Sequence, residues 1–310
     1  MPAALAWERD GLDWPHRDAS RFVQAGGLRW HVQRFDPASD PQEPETPTVL
    51  LLHGTGSSTH SWRDVAPLLA RHVPVVACDL PGHAFSAMPE RGAASEQFLV
   101  SGMARAVADL LKVMGVRPAL VAGHSAGAAV ALRMCLDGWI APRAVVGINA
   151  ALMPWGGLAG QLVSPAARLM AATSLVPRLF AWRASDPAVL RRLVGGTGST
   201  LDATGLALYG RLVRDPGHAA AALAMMAQWD LHSLMRDMPR LNVPLQVVVG
   251  ACDRTVSPRE ASRVQAMVPA ACRLPVISLP GLGHLAHEER PDAVAAILLE
   301  RLGVPVSANR

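Results

Sequence analysis

The chain has 310 residues, of which half are hydrophobic and 17% are charged. This composition excludes disordered and fibrous proteins and indicates a globular protein with a large buried core. The 29 basic residues are spread along the chain without a basic run, which argues against binding to nucleic acid. Because no apolar run reaches about 18 residues and the first residues lack a secretory pattern, we expect a cytoplasmic protein without a transmembrane segment.

The four cysteines show no CxxC pairing, and most lie in apolar surroundings; they are Cys78, Cys135, Cys252 and Cys272. This pattern favours reduced, buried thiols over disulfides or a zinc site. We predict no bound metal, and we also expect no cofactor.

Short β-rich runs alternate with helical runs along the chain, which indicates an α/β fold with a mostly parallel sheet. The first run, 21–35, predicts an antiparallel hairpin that turns at Gly26-Gly27. Further strands are predicted at 48–53, 73–80, 119–124, 144–150, 244–250 and 274–280. Helices are predicted at 61–71, around 96–114, at 126–136, and from about 258 and 285.

The alternation of strand and helix patterns stops between residues 151 and 238, where helical segments predominate and prolines interrupt them. A helical insertion between two strands of one sheet is typical of a lid over the carboxyl ends of the strands, where α/β sheets bind ligands. We predict that residues 1–150 and 241–310 form the core and that residues 151–240 form the lid.

The sequence Gly123-His124-Ser125-Ala126-Gly127 has a predicted strand before it and a predicted helix after it. This G-x-S-x-G context is typical of a tight turn that exposes a nucleophilic serine, and the small flanking residues allow the turn to close. We predict that Ser125 is a nucleophile.

A serine hydroxyl needs a base to accept its proton and an acid to orient that base. Asp253 follows the strand that ends near residue 250, and His284 follows the last predicted strand. These two positions give the chain order serine, acid, histidine. We predict a catalytic triad of Ser125, Asp253 and His284.

Other residues near these positions are weaker candidates. His287 is a rival base, but it falls inside the following helix. Glu288 is interpreted as part of the solvated helix surface, and Asp230 and Asp237 are weaker alternatives for the acid.

The motif Leu52-His53-Gly54-Thr55-Gly56 ends the strand at 48–53. In this arrangement, the backbone N–H groups of Thr55 and of Ala126, the residue after the nucleophile, point at the developing oxyanion. Apolar residues of the lid suit a large hydrophobic substrate over Ser125, although each taken singly fits a small second core better. We expect the pocket to be lined by His53, Gly54, Trp62, His124, Met153, Trp155 and Trp229.

The motifs LLHGTG, DLPGHAFS, GHSAG, GACDRTV and GLGHLAHEERP together resemble the α/β-hydrolase superfamily. The resemblance covers the core from about residue 48 to the end, and it implies an α/β-hydrolase fold. Serine rather than aspartate at position 125 argues against the haloalkane dehalogenase and epoxide hydrolase branches.

A narrower resemblance covers nearly the whole chain. The segments LDWPHRDASRFVQAGGLRWHVQ, TGSTLDATGLALY, MMAQWDLHSLMRDMPRLNVPL and LPGLGHLAHEE are similar to the magnesium-chelatase accessory proteins of bacteriochlorophyll gene clusters. This resemblance implies a role in photosynthetic pigment synthesis near the insertion of Mg²⁺ into protoporphyrin IX. It also implies chelatase subunits as partners, a tetrapyrrole as a candidate ligand and a photosynthetic membrane as a candidate site of peripheral attachment. The chain contains no P-loop, so it is not the nucleotide-hydrolysing subunit.

Three functions remain open at this point. The first is a serine hydrolase that cleaves a hydrophobic ester or a tetrapyrrole-related substrate, and the second is a non-catalytic accessory protein that binds porphyrin or the chelatase. The third and least favoured is a C–C bond hydrolase or cofactor-free peroxidase. Propionate pairing by Arg168, Arg178 and Arg183, and Mg²⁺ ligation by His218 or His232, are weaker hypotheses than solvated helix surfaces and structural histidines.

Overall fold

The computed structural model describes residues 5–37, 47–154, 175–184 and 186–304 of the chain. The strands are β1 (Ser20–Ala25), β2 (Leu28–Phe35), β3 (Thr48–Leu52), β4 (Val75–Cys78), β5 (Pro118–His124), β6 (Ala144–Ile148), β7 (Leu245–Gly250) and β8 (Ile277–Leu279). They form one sheet in the order β1-β2-β4-β3-β5-β6-β7-β8. β2 pairs antiparallel with β1 and β4, and all other neighbours are parallel. The predicted α/β fold, with its antiparallel N-terminal hairpin, is confirmed.

The β1–β2 hairpin turns at the predicted pair of glycines. Gly26 and Gly27 have φ values of 56° and 74°. Left-handed backbone at both central residues gives a two-residue turn that matches the twist of the strands. Ala25 therefore pairs directly with Leu28.

Helices cover both faces of the sheet and the edge formed by the strand ends. The twelve α-helices of the described residues are α1 (Trp7–Asp10), α2 (Val65–Ala70), α3 (Val100–Met114), α4 (Ala126–Leu136), α5 (Leu175–Ala184), α6 (Pro187–Gly196), α7 (Ala203–Val213), α8 (Pro216–Gln228), α9 (His232–Asp237), α10 (Glu260–Met267), α11 (Ala286–Glu289) and α12 (Pro291–Leu302). Not one of them combines the length and the apolar character needed to cross a membrane.

Strand β3 shows how the sheet separates two core layers. Leu50 and Leu52 belong to the apolar cluster that includes α3 and α4, whereas Val49 and Leu51 belong to the cluster that includes α2 and α12. Successive side chains of a strand point to opposite faces, so an uninterrupted apolar run is buried on both sides. This burial fixes the carboxyl end of β3, where the predicted oxyanion loop begins.

In the sequence, helices α5 to α9 come between β6 and β7, and the described residues of this segment form no strand. Helix α8 crosses the carboxyl ends of the strands: an ideal Cβ on Gly82 would lie 2.7 Å from the Cβ of Ala221. A separate small core joins this segment to the residue after His284, and it contains Leu190, Val194, Leu201, Tyr209 and Leu285. The domain boundaries at residues 150 and 240 stay a prediction.

Several elements differ from the sequence prediction. The helix expected over 61–71 consists of a 3₁₀ turn, Thr59–Trp62, followed by α2. The strand expected over 274–280 is reduced to the three residues of β8. Pro275 and Pro280 flank that strand and have no N–H to donate to a neighbouring strand, which shortens it.

All four cysteines are free, as predicted, and three are buried. Cys252 is exposed, so the expectation of a buried thiol is wrong there. The residue lies in the loop after β7 that also carries Asp253.

Candidate active site

Ser125 lies at the turn between β5 and α4. Its φ of 50° and ψ of −115° are rare for a residue with a side chain. The Ser125 N–H donates to the carbonyl of Ile148 at 2.9 Å. The Ser125 carbonyl accepts from the N–H groups of Ala128 and Ala151, each at 3.2 Å. These three bonds hold the strained turn, and Ser125 remains partly exposed.

The turn closes because residues 123 and 127 have no side chains. An ideal Cβ on Gly123 would overlap the backbone nitrogen of Ala128, and one on Gly127 would overlap the carbonyl oxygen of Leu52. Both obstacles are backbone atoms of packed elements, which cannot move aside cheaply. The G-x-S-x-G pattern is therefore a packing requirement between β3, β5 and α4.

Asp253 and His284 meet at the same edge of the sheet. Asp253 follows β7, and His284 follows β8. The Nδ1 of His284 donates to Oδ2 of Asp253 at 2.8 Å, and the exposed fractions of the two side chains are 8% and 1%. Because an ionised carboxylate only accepts hydrogen bonds, Nδ1 carries the proton and Nε2 is left able to accept one.

Four hydrogen bonds surround the Asp253 carboxylate. The N–H groups of Thr255 and Val256 donate to Oδ1 at 2.7 and 2.9 Å. The Nδ2 of Asn149 donates to Oδ2 at 2.6 Å, beside the bond from His284. Burial alone would raise the pKa of Asp253, but the bonds from His284 and Asn149 hold it below its ordinary value of 3.8. The carboxylate is therefore ionised at neutral pH.

Asn149 was not among the residues predicted for the site. It directly follows β6 with a left-handed φ of 47°, a conformation that asparagine tolerates. Its Nδ2 also reaches the carbonyl of Gly283 at 3.3 Å. Both partners are acceptors, which fixes the orientation of the amide. The available signal was a polar residue directly after the fully buried β6, at the same sheet edge as Ser125.

Ser125 and His284 make no hydrogen bond to each other: within the described residues, Asp253 is the hydrogen-bond partner of the His284 ring. Contacts between a nucleophile and its base often form only when substrate binds. The two loops are nevertheless adjacent, because the Nε2 of His124 donates to the carbonyl of His284 at 2.9 Å.

Thr55 and Ala126 present backbone N–H groups near Ser125. Ala126 is the first residue of α4, so its N–H has no acceptor within the helix. Neither N–H donates to another group in the described part of the chain. An ideal Cβ on Gly54 would lie 3.0 Å from the Cβ of Ser125, so the Thr55 loop lies against the turn. The amino end of α4 also favours negative charge at this position.

Residues 197–200, which we call the lid loop, contact the loops of both Asp253 and His284. The carbonyl of Thr197 accepts from the N–H groups of Arg254 at 3.1 Å and His284 at 3.3 Å. The hydroxyl of Ser199 accepts from the N–H of Leu285 at 2.8 Å. The lid therefore supports the backbone on both sides of the His284–Asp253 pair.

The lid loop approaches so closely because two glycines face each other. Gly198 has a φ of 85°, and an ideal Cβ there would overlap the carbonyl oxygen of Cys252. An ideal Cβ on Gly283 would overlap the carbonyl carbon of Gly198. The backbone of the lid and the backbone beside His284 are thus in direct contact.

The profile of the alpha/beta hydrolase family matches residues 49–297, which is most of the chain. The chain belongs to the α/β-hydrolase family. It is 37% identical over 292 residues to the magnesium-chelatase 30 kDa subunit of Rhodobacter capsulatus, across 94% of this chain and 96% of the relative. Both resemblances expected from the motifs are confirmed.

Solved structures show the same fold. An α/β-hydrolase-fold protein from Burkholderia ambifaria matches with a TM-score of 0.72 and 24% identity, over 91% of this chain and 98% of that one. A serine hydrolase involved in carbazole degradation matches with a TM-score of 0.69 and 21% identity, over 92% of this chain and 98% of that one.

In this α/β-hydrolase, two residues predicted to line the pocket, His53 and His124, are buried and form hydrogen bonds to the loops around the site. His53 is fully buried; its Nδ1 bonds to the carbonyl of Gly54 at 2.7 Å, and its Nε2 accepts from the N–H of Leu80 at 2.9 Å. His124 is also buried beside His284. Burial lowers the pKa of both His53 and His124 to about 3, so both stay neutral.

Trp62 does not line an entrance. Its exposed fraction is 1%, and its ring packs against His287 with centroids 4.5 Å apart. It belongs to the core cluster that contains α2 and α12. The short 3₁₀ turn points this side chain towards the sheet rather than towards solvent.

Apolar lid residues reach the predicted oxyanion loop. Met153 and Trp229 are partly buried and pack on the core cluster that contains Met225. The Sδ of Met225 lies 3.4 Å from Oγ1 of Thr55. Trp155 lies outside the described residues.

Glu288 corrects a prediction, because its side chain is fully buried rather than solvated. Its Oε2 accepts from Arg63 Nη1 at 2.6 Å, and its Oε1 accepts from the hydroxyl of Tyr209 at 2.8 Å. Burial raises the pKa of Glu288 to about 7, although Arg63 opposes this shift. The prediction failed because α7 of the lid covers this side of α11, which a helix pattern alone cannot reveal.

The rival site residues have other partners. His287 lies in α11, fully buried against Trp62 and His124. Asp237 pairs with Arg133 at 2.8 Å, and Asp230 contacts His232 at 2.7 Å. The carboxylate on His284 is that of Asp253.

The weaker ligand hypotheses gain no geometric support. Arg178 and Arg183 are exposed, and Arg168 lies outside the described residues. His218 is buried, with both ring nitrogens bonded to backbone groups, and His232 is exposed. In the part of the chain described here, no group of three or more His, Cys, Asp or Glu residues could hold a metal ion.

Proposed function

We propose that the protein is a serine hydrolase of bacteriochlorophyll biosynthesis that acts near the magnesium-chelatase step on a hydrophobic ester or tetrapyrrole-related substrate. The observation that carries the chemistry is the 2.8 Å bond between His284 and Asp253 at the edge where Ser125 forms its strained turn. The similarity to a magnesium-chelatase subunit over 94% of the chain supports the pathway.

The proposed reaction has two balanced steps. Ser125 Oγ attacks the carbonyl carbon while His284 Nε2 takes its proton, and the N–H groups of Thr55 and Ala126 stabilise the oxyanion. His284 then passes the proton to the departing alcohol, which leaves an acyl ester on Ser125. Water repeats the sequence, releasing the carboxylic acid and restoring the serine hydroxyl. Asp253 stabilises the imidazolium form of His284 in both steps.

The lid supports a hydrophobic substrate. Apolar side chains predominate in ligand pockets, with a few polar groups that fix orientation. Met225 lies beside Thr55, which is one of the two proposed oxyanion donors, and Met153 and Trp229 pack on the core cluster that contains Met225. We place this reaction in the cytoplasm, with chelatase subunits as candidate partners.

A fluorophosphonate probe tests the chemistry directly. We expect the probe to label wild-type protein, to fail with Ser125→Ala and to react roughly a thousandfold more slowly with His284→Ala. His232→Ala, which changes an exposed histidine, is the matched control and should be labelled at the wild-type rate. Absence of labelling in folded wild-type protein would refute the proposed catalysis.

A second candidate is a non-catalytic accessory protein that binds porphyrin or the chelatase. The similarity to a chelatase subunit over 94% of the chain favours it. Complementation of a deletion strain separates the two roles. Restored pigment synthesis by Ser125→Ala supports the accessory role, whereas failure of this folded variant supports the hydrolase. Under the accessory role, protoporphyrin should shift its Soret band equally with wild type and Ser125→Ala.

A further inference from the structure

Helix α5 of the lid exposes two large apolar side chains. Leu179 and Trp182 are 60% and 66% exposed, and Arg178 and Arg183 beside them are also exposed. Positions 178, 179, 182 and 183 lie on one side of a helix. We call these four side chains the outer α5 face. The opposite side carries the small residue Ala181, which is fully buried.

A helix that only packs on a core rarely exposes two large apolar side chains next to each other. Large apolar groups normally face inward, and exposed apolar groups that lie together mark interaction sites. Two other lid helices also expose a large apolar side chain, Leu193 on α6 at 44% and Met226 on α8 at 49%. Helix α8 packs directly against α5.

The same region carries an excess of positive charge. Residues 175–196 contain four arginines and one aspartate. That aspartate, Asp186, accepts from the N–H of Ala188 at 2.8 Å and caps α6. Within the described ranges, the four arginines form no ion pair; they are Arg178, Arg183, Arg191 and Arg192.

We propose that the outer α5 face docks the protein on an anionic lipid bilayer. Tryptophan is favoured at the boundary between headgroups and acyl chains, and exposed arginines attract lipid phosphates. Exposed apolar side chains can insert at that boundary while neighbouring arginines keep their guanidinium groups among the headgroups. This proposal goes beyond the hydrolase reaction and does not depend on it.

The size of the face favours a bilayer over a protein partner. A stable protein interface usually buries roughly 1,200–2,000 Å² in total, contributed by about 20–30 residues on each side. The outer α5 face has only four side chains on ten residues of helix, with the two apolar ones at its centre and an arginine at each margin. A membrane surface accepts this mixture because phosphates surround each inserted side chain.

Vesicle flotation of the full chain tests the proposal. We expect wild-type protein to float with vesicles of phosphatidylcholine and phosphatidylglycerol and to remain behind with phosphatidylcholine alone. Leu179→Ala/Trp182→Ala and Arg178→Glu/Arg183→Glu should each lower the partition coefficient at least about tenfold. Trp139→Ala is the matched control, because Trp139 is 46% exposed outside the lid, and it should bind as wild type.

Circular dichroism and thermal unfolding establish that each variant is folded before flotation. The proposal is overturned if folded wild type binds neither vesicle, or binds neutral vesicles equally well. It is also overturned if both double variants bind like wild type. If wild type ignores vesicles but binds a chelatase subunit through these four residues, the face belongs to a protein partner instead.

Discussion

Removal of the Asn149 side chain is expected to slow acylation of Ser125 without unfolding the protein. Asn149→Gly deletes the 2.6 Å bond to the Asp253 carboxylate and the 3.3 Å bond to Gly283, and glycine suits the φ of 47°. A hydrogen bond to a charged group contributes about 1.5–3 kcal/mol. Asp253 keeps three other donors, so we expect a loss near 2 kcal/mol, which corresponds to a labelling rate roughly thirtyfold lower.

The assay is the second-order rate of fluorophosphonate labelling, measured beside urea unfolding. Asn149→Ala removes the same bonds but adds about 1 kcal/mol of left-handed strain, so it should label as slowly as Asn149→Gly and be less stable. Asn242→Gly changes an exposed asparagine and serves as the control. Wild-type labelling by folded Asn149→Gly would refute the reasoning, because Asp253 would then be oriented by its other contacts alone.

Three further changes test the lid contact and the buried carboxyls. Gly198→Ala should lower the free energy of unfolding by at least about 2 kcal/mol and abolish most labelling, because the new Cβ would overlap backbone atoms. Gly196→Ala has open space around the new Cβ and should change neither quantity in the same urea and labelling assays. Burial raises the pKa of Glu288 from 4.5 to about 7. Between these pH values the carboxyl is therefore protonated in the folded state and ionised in the unfolded state. The unfolding free energy should therefore fall by up to about 3 kcal/mol as pH rises through this window, and Glu288→Gln should remove that slope in denaturant titrations at several pH values. Burial alone would raise the pKa of Asp79, but bonding with His31 lowers it from 3.8 to about 2. Its stabilisation is therefore present above about pH 4 and lost towards pH 2, and an acid titration of Asp79→Asn that kept the wild-type slope would contradict this assignment.

Features that depend on neighbouring residues could be predicted from the sequence. The Gly26-Gly27 turn, the buried run of β3 and the turn at Ser125 each follow from a few consecutive residues. Chain order added the pairing of Asp253 with His284, because carboxyl ends of parallel strands meet at one edge. These features require no knowledge of how distant segments pack.

Features that depend on packing between distant segments could not be predicted. The helix pattern predicts a solvated Glu288, yet Tyr209 of the lid, which is 79 residues earlier in the chain, covers it. Trp62 is predicted at the pocket entrance because it follows Gly54 closely in the sequence, yet a 3₁₀ turn directs its side chain into the core. Asn149 carries no motif at all. A single sequence does not record which surface another element will cover.

The lid is bonded to the loops of the candidate active site at two places. The lid loop bonds to the backbone of His284 through Thr197, and Gly198 touches Gly283 directly. A second attachment joins Tyr209 to the buried Glu288. Separating these contacts would remove the hydrogen bond that the N–H of His284 donates to Thr197, and it would deprive the buried Glu288 of the Tyr209 hydroxyl. The lid loop therefore supports the backbone that carries His284, and it belongs to the structure of the candidate active site.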